Sequence, residues 1–206
     1  MSSLEQTPAN SLFAHYFRYL WNAPDLIVVI GEAQVLWQSR RAYCRTHHIQ
    51  DCIPAGSSLL ERLFAAAGLA AVHAAEREWW GWSLSLPGLA TGLFCGVEPE
   101  GMVCGRVLES RPSKNLTVVQ HQGPKSPMAQ SHFTLITQDP VEAVERYFEE
   151  AEQTLIRIAV DGSGRGVLLR PLPGGRFDDI QGLSDEALIA KCSSLAEDGS
   201  LKKLDE

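Results

Sequence analysis

The sequence predicts an α/β fold in which a mixed, mostly antiparallel β-sheet packs with helices, as a single core domain plus a C-terminal helical linker segment. Two observations carry this prediction. Apolar residues recur at helical spacing in two segments before residue 79, and from there the period changes to two. Five strand-like runs then follow one another, and no helical pattern separates the last four.

The composition is that of an ordinary soluble globular protein, since 45% of the 206 residues are apolar and 21% are charged. This balance excludes disorder as the main state. The most apolar window, residues 59–75, contains Glu61 and Arg62, so no stretch reaches the roughly 18 to 20 uninterrupted apolar residues of a membrane helix. We therefore expect no membrane partner.

Charge and cysteine content indicate the partners and the compartment. The formal charge is −7, so no broad basic surface for phosphate is expected and nucleic acid is excluded as a partner. The five cysteines are odd in number and widely spaced, and no basic stretch followed by an apolar core opens the chain. Both features favour a reducing, cytoplasmic location.

The first elements are predicted from apolar spacing. Residues 12–20 repeat apolar side chains at helical spacing before a proline, so residues 1–24 are interpreted as an N-terminal helical extension. The β-branched run 26–30, stopped by Gly31, predicts a strand. Residues 35–37 are interpreted as a further strand.

A long helix and a strand with one buried face follow. Ser58 and Glu61 have the spacing of a capping box and predict a helix whose apolar face continues to Val72. In residues 79–86, large apolar side chains alternate with glycine and serine, so the large ones lie on one side of a strand.

Four further strands are expected from turn chemistry and apolar runs. Residues 98–101 form a turn sequence between the apolar runs 93–97 and 102–108, and they predict a hairpin with a three-residue, bulged loop. Two more strand-like runs follow, 116–120 and 133–137.

The C-terminal third of the chain contains two helix starts. Asp139 supplies a capping oxygen. Pro140 lacks an amide proton, and this loss costs nothing because amides in the first helical turn have no partner within the helix. The runs 156–160 and 166–170 predict another hairpin, and residues 185–196 predict a last helix behind a serine cap.

No internal repeat and no long linker separates two independent domains. We interpret residues 25–176 as the core domain. Residues 177–206 are interpreted as the start of a helical linker segment, because their last part is charged and has no clear apolar stripe.

Four possible soft-metal ligands lie close together, at Cys44, His47, His48 and Cys52. A structural zinc site usually adds a second close pair more than about ten residues away, and no such pair follows this cluster. On a helix, Cys44 and His48 would share a face, which leaves open a two-ligand site completed from elsewhere. Packing or solvated surface is the favoured interpretation.

Cys95 and Cys104 lie on the two arms of the predicted hairpin, and the loop length decides whether they face each other. A two-residue loop would make them direct partners. The bulged loop pairs Cys95 with Gly105 and sends the thiols to opposite faces. The turn sequence favours this second register, so buried, unpaired thiols are the favoured interpretation.

Other chemical motifs are absent or have a simpler interpretation. No serine has the context of a nucleophile elbow and no glycine-rich loop joins a strand to a helix, so no catalytic, cofactor-binding or metal-binding residue is assigned. Residues 162–166 are interpreted as a hairpin turn, and the five glutamates within residues 142–152 as a solvated helix face. Trp79, Trp80 and Trp82 could form a ligand platform, but their alternation favours a core strand.

Residues 147–154 resemble the signature helix end of the 33-kilodalton heat-shock chaperone family, the redox-regulated holdases. In that signature, Tyr-Phe is followed by Ser-Glu-Gln and a Pro-Thr step. This chain has Ala151 in place of the serine and lacks the proline. The matching residues are Tyr147, Phe148, Glu152, Gln153 and Thr154.

The resemblance extends over roughly residues 26–195. The strand 81–86, the turn 98–101 and the segment 166–173, which ends in Leu-Pro, look like parts of the family's sheet. The family implies an α/β core whose mixed sheet is backed by helices, a cytoplasmic address and dimerisation on activation.

The family also has a linker and a zinc module with Cys-x-Cys and Cys-x-x-Cys, whose thiolates bind zinc when reduced and form disulfides when oxidised. Neither motif occurs in this chain, so no cofactor is expected in it. Zinc is expected only if the full-length protein continues into that module. The chain ends at Glu206, where the family's linker would still be running. We expect either a piece of a longer protein, which the abrupt end favours, or a natural member without the sensor.

The resemblance implies a non-enzymatic, ATP-independent holdase that binds unfolding proteins and prevents their aggregation under oxidative or heat stress. Its partners would be unfolded or partly folded client proteins, with a possible homodimer. Two alternatives stay open. One is a metal- or thiol-dependent sensor or enzyme built on Cys44, His47, His48 and Cys52, and the other is an interaction module without chaperone activity.

Overall fold

Ten strands and four helices make up the part of the chain described by the structure, a computed structural model. The described residues are 16–48, 54–73, 78–89, 91–98, 103–109, 114–121, 127–178 and 180–204. The strands are β1 (Tyr16–Trp21), β2 (Leu26–Glu32), β3 (Trp79–Ser85), β4 (Thr91–Val97), β5 (Val103–Glu109), β6 (Asn115–His121), β7 (Ala129–Thr134), β8 (Arg157–Val160), β9 (Arg165–Pro171) and β10 (Lys202–Lys203). The helices are α1 (Gln34–Thr46), α2 (Pro54–Ala71), α3 (Pro140–Glu150) and α4 (Asp185–Glu197).

The strands form two five-stranded sheets in which every neighbouring pair is antiparallel. The first sheet has the order β10-β1-β2-β9-β8 and the second the order β5-β4-β3-β6-β7. This arrangement confirms the predicted α/β class, with the strands divided between two sheets. No helix within the described residues is long and apolar enough to span a membrane.

Helix α2 lies between the two sheets, since it contacts β4 and β5 of one and β2, β8 and β9 of the other. Its residues from Leu63 to Ala70 are all buried, as expected of a helix that is apolar on every side. The predicted apolar face is confirmed, but the start predicted at Ser58 is wrong. The helix begins at Pro54, because proline is well suited to a first helical turn.

A second, smaller core lies on the other side of the first sheet, where α4 packs on β2, β8 and β9. Arg157 in β8 joins the layers by donating to Glu145 of α3 at 3.1 Å and to Asp185 of α4 at 2.7 Å. Ser184 caps α4 by accepting from the Ala187 amide, which confirms the predicted helix start.

The helix predicted over residues 12–20 is wrong where the structure describes it. Residues 16–21 form β1, which pairs with β2 through a turn that contains Asp25 at φ +62°. Aromatic side chains, of which β1 has four, favour a strand once a partner strand is available. Both β1 and the C-terminal β10 thus belong to the same sheet as β2, and the division of the chain at residues 24 and 176 stays a prediction.

The strand predicted at residues 35–37 is also wrong, because these residues lie in α1. Leu36 and Trp37 are buried on one side of this helix, and the Trp37 indole donates a 2.8 Å hydrogen bond to the backbone carbonyl of Glu61 in α2. Arg41, on the same helix, pairs with the buried Glu61 carboxylate. Contacts with α2 therefore favour a helix over a short strand.

Most of the remaining predictions from periodicity are confirmed with small shifts. The alternating large side chains of β3, Trp80, Trp82 and Leu84, are buried, and the small ones between them are more exposed. Asp139 caps α3 by accepting from the Val141 amide, and Arg62 of α2 holds the same carboxylate at 2.7 Å. The hairpin of β8 and β9 is present. The strand predicted at 133–137 is shifted further, since β7 begins at Ala129 and ends at Thr134, so that residues 135–137 lie beyond it.

Candidate functional site

The helix-end signature begins inside a buried aromatic cluster. The Tyr147 ring lies edge-on to Trp82 at 5.1 Å and to Phe133 at 6.0 Å between ring centroids. Phe148 stacks on Trp80 at 5.6 Å. These rings join α3 to the inner face of the second sheet, so the first two signature residues pack in the core.

The second half of the signature ends the helix. The Tyr147 hydroxyl donates a 2.6 Å hydrogen bond to Glu152, just beyond α3. Gln153 takes the left-handed conformation, with φ +50°, and the Thr154 amide donates to the carbonyl of Phe148 at 2.9 Å. The chain thereby reverses out of the helix, and the exposed backbone carbonyls of the last turn gain partners.

A polar cleft of about 370 Å³ opens beside this helix end. It brings together residues from elements that are far apart in sequence, including the end of α2, the start of β3, the end of β6 and β9. Its lining residues are His73, Glu78, Trp80, Gln120, Phe148, Glu152, Thr154 and Arg170. A cleft of this size with several polar groups can hold a small polar molecule.

Burial changes the pKa of His73 in the polar cleft and of Tyr147 beside it. Burial, together with the positive charges of Arg170 and Arg18, lowers the pKa of His73 to about 4. Burial and the nearby Glu152 carboxylate raise the pKa of Tyr147 well above its ordinary value. His73 is therefore neutral at pH 7, and its Nε2 is buried without a hydrogen-bond partner among the described residues.

Of the residues that line this cleft, sequence patterns singled out only Trp80 and the signature residues Phe148, Glu152 and Thr154. His73 follows an apolar helix, and a lone histidine in that position gives no indication of a site. Gln120 and Arg170 are single polar residues within strands. Only the packing of the two sheets around α2 brings them together.

The cysteine and histidine cluster does not assemble a metal site in the described residues, where no three potential ligand side chains of this kind converge. Cys44 and His47 lie at the C-terminal end of α1, and the His47 ring contacts Tyr43 at 4.3 Å. His48 is exposed, with φ +53°. Cys52 lies outside the described residues, so a site that includes it stays a prediction.

The register of the β4–β5 hairpin is the predicted one, with Cys95 opposite Gly105. Cys95 is buried and Cys104 is exposed, so the two thiols lie on opposite faces and both are free. Burial raises the pKa of Cys95 well above its ordinary value. The prediction of a buried thiol is thus confirmed for Cys95 and wrong for Cys104, and the loop itself lies outside the described residues.

The glutamates of α3 bind neighbouring groups of the protein. Glu145 accepts from Arg157 and from the backbone amide of Ile158, and it is partly buried rather than solvated. Glu142 accepts from Thr137 and Glu150 pairs with Arg146. The predicted solvated face is therefore correct for the exposed members and wrong for Glu145.

Two further interpretations are confirmed. The glycine-rich loop is a hairpin turn in which Asp161 accepts from Ser163 and Arg165. Trp80 and Trp82 are core residues on the buried face of β3. Of these residues, Trp80 also lines the polar cleft.

Several large apolar side chains are exposed. A groove of about 710 Å³ beside β9 and the following loop includes Leu155, Phe177 and Leu183 in its lining. Met128 is exposed just before β7, and Ile136 is exposed two residues after the end of β7. Among the residues that the structure describes, the exposed large apolar ones are Phe17, Tyr43, Met128, Ile136 and Leu155.

Comparison with known proteins identifies a similar fold. No family model and no curated protein matches the chain. Among solved structures, the crystal structure of the 33 kDa chaperonin (heat shock protein 33 homolog) from Thermotoga maritima is similar, with a TM-score of 0.62 and 17% sequence identity. The alignment covers 93% of this chain and 77% of that chain. The resemblance expected from the sequence is therefore confirmed for the fold.

Proposed function

We propose that the chain is an ATP-independent holdase that binds unfolding proteins and limits their aggregation. The observation that carries this proposal is the similarity of the fold, over 93% of the chain, to a 33 kDa chaperonin. That protein is a chaperonin rather than an enzyme, which supports a binding function. Holding an unfolded chain lowers the free concentration available for aggregation and needs no nucleotide chemistry.

The exposed surface supports the same function. A holdase needs accessible apolar side chains together with a soluble, charged surround. Met128, Ile136 and Leu155 are more than half exposed, and the chain has a net charge of −7. This acidic balance favours protein clients over nucleic acid as partners.

We place this activity in a reducing cytoplasm and assign no cofactor to the chain. The free thiols of Cys44, Cys95, Cys104 and Cys192 support that compartment. Zinc would be bound only if the full-length protein continues into the cysteine module of the chaperone family. A homodimer forms part of the proposal through the chaperone resemblance alone.

The test is an aggregation assay. Citrate synthase is heated with increasing amounts of the chain, under reducing and under oxidising conditions, and light scattering is recorded. We expect suppression near equimolar ratios that is the same in both conditions, because the described residues bring no thiol pair together.

Serum albumin at equal mass serves as the control for non-specific protection. Scattering equal to that of the albumin control in both redox conditions would overturn the holdase proposal. Zinc measured in the same preparation separates the alternatives, since stoichiometric zinc would favour a metal-dependent sensor.

A further inference from the structure

The strand β7 forms one edge of the second sheet, and β6 is its only partner among the described residues. Its side chains are partly or fully exposed along its whole length. The pairing with β6 places His132 opposite Thr117 and Gln130 opposite Val119. One side of the β7 backbone therefore faces away from the sheet.

The hydrogen bonds between β6 and β7 determine which backbone groups of β7 face outward. The Leu135 amide donates to the carbonyl of Lys114 at 2.7 Å, in the same register as the β6–β7 ladder. In an antiparallel ladder, hydrogen-bonded pairs alternate with non-hydrogen-bonded pairs. The backbone groups of residues 129, 131, 133 and 135 therefore point toward β6. The amides and carbonyls of Gln130, His132 and Thr134 then point to the open edge.

This edge lacks the charges that usually protect exposed strands from added chains. Residues 127–138 contain no lysine, arginine, aspartate or glutamate. The other edge strands differ, because β5 contains Arg106, β8 contains Arg157 and β10 consists of two lysines. Among the described edges, β7 is the one without a charged residue.

Apolar side chains lie at both ends of the same edge. Met128 is 64% exposed before the strand, and Ile136 is 79% exposed after it. An added strand along β7 would meet backbone donors and acceptors in the middle and an apolar side chain near each end. Main-chain pairing of this kind gives affinity without requiring one particular sequence.

We propose that β7 binds an extended, uncharged segment of a non-native protein as an additional strand of the second sheet. This inference rests on the proposed holdase function and names where and how the client is held. A second copy of the chain is the less favoured occupant of this edge, because the net charge of −7 on each copy opposes their pairing, whereas an uncharged segment is not repelled. The proposed homodimer would then form through another surface.

Gln130 provides a matched pair of variants. Gln130→Pro removes one outward amide, and proline is tolerated in an edge strand where its nitrogen faces solvent. Gln130→Ala keeps the amide and removes the exposed side chain. Circular dichroism and thermal melting of both variants establish that the fold is kept.

Two assays are run on the wild type and on both Gln130 variants. The first is citrate synthase aggregation, and the second is fluorescence polarisation of a lysine-flanked peptide of alternating valine and threonine. We expect Gln130→Pro to need at least a threefold higher concentration for half-suppression and to bind the peptide at least threefold more weakly. Gln130→Ala should match the wild type, and peptide N-methylated at alternate residues should not bind.

If Gln130→Pro does not fold, Ile136→Lys adds a charge at an exposed end of the edge and should weaken both readouts. Equal behaviour of the folded proline variant and the wild type in both assays would overturn the docking site while the holdase function stands. Peptide binding that depends on Gln130, without suppression of aggregation, would keep the docking site and refute the holdase function. A dimeric wild type that becomes monomeric on Gln130→Pro substitution would identify a second copy as occupant and overturn the inference.

Discussion

The buried phenol of Tyr147 donates a 2.6 Å hydrogen bond to the carboxylate of Glu152, beyond the C-terminal end of α3. The same carboxylate oxygen accepts from the side-chain amide of Gln120 in β6, at 3.3 Å. The pair therefore ties the helix end to the second sheet, and Glu152 lines the polar cleft. Tyr147 is buried and Glu152 is exposed. When the bond is broken, water can therefore solvate the Glu152 carboxylate but not the Tyr147 hydroxyl.

Substitutions at these two positions should differ in their effect on stability. Glu152→Ala leaves a buried hydroxyl without its acceptor and should lower the free energy of unfolding by about 1–3 kcal/mol. Tyr147→Phe leaves only a carboxylate that water can solvate, and should cost about 1 kcal/mol. Urea unfolding followed by tryptophan fluorescence measures both, with the exposed Tyr43→Phe as control. The reverse order would contradict this account of the pair.

His73 should make stability depend on pH. Burial and the charges of Arg170 and Arg18 lower its pKa to about 4, whereas an unfolded histidine titrates near about 6.5. The unfolded chain thus binds more protons between these values, and the free energy of unfolding falls as the pH drops from about 6.5 to about 4. The contribution of the neutral imidazole is complete above this window.

The measurement compares urea unfolding of the wild type and His73→Gln at several pH values from about 4.5 to 7.5. The difference in unfolding free energy between the two should change by an amount approaching about 1.4 kcal/mol per pH unit within the window. Parallel curves would show that His73 titrates normally in the folded protein. NMR titration of the His73 ring gives the same pKa directly.

Strands with an alternating pattern could be predicted from the sequence, because the alternation of large and small side chains within the strand itself indicates which face is buried. The alternation around Trp82 and the turn sequence before Met102 led to the correct face and the correct hairpin register. Segment 16–21 could not be decided in this way, since its aromatic residues suit either period. Pairing with β2 and β10, which lies at the other end of the chain, determines it.

The candidate sites were less predictable than the fold. The cleft forms because residues from four parts of the chain come together, and no spacing in the sequence indicates that they do. These residues are His73, Gln120, Glu152 and Arg170. The uncharged run 127–138 is visible in the sequence, but the strand order decides whether this run forms an edge of a sheet. It becomes an open edge only because β6 pairs with β3 on its other side.

Gly105 should tolerate no side chain. A Cβ at this position would collide with the Phe94 carbonyl oxygen in β4 and lie 2.5 Å from Cε1 of Phe64 in α2. Gly105→Ala should therefore lower the free energy of unfolding by about 1–3 kcal/mol, because the hairpin or the helix must move. Gly162→Ala is the matched control, since nothing lies within 4 Å of its Cβ and a change within about 0.5 kcal/mol is expected. Equal denaturation midpoints for the two variants would contradict the close packing of β5 on α2.

Cys95 and Cys104 should react very differently with a thiol reagent. Cys104 is exposed on β5, whereas Cys95 is fully buried on β4 and burial raises its pKa well above the ordinary value. Iodoacetamide on the native protein should therefore modify Cys104 at least about 100-fold faster than Cys95. Peptide mapping by mass spectrometry assigns each rate, and Cys104→Ser should remove the fast reaction without exposing Cys95. Because the two side chains leave the hairpin on opposite faces, mild oxidation should form no bond between them, and a peptide crosslinked through Cys95 and Cys104 would show that the register is wrong.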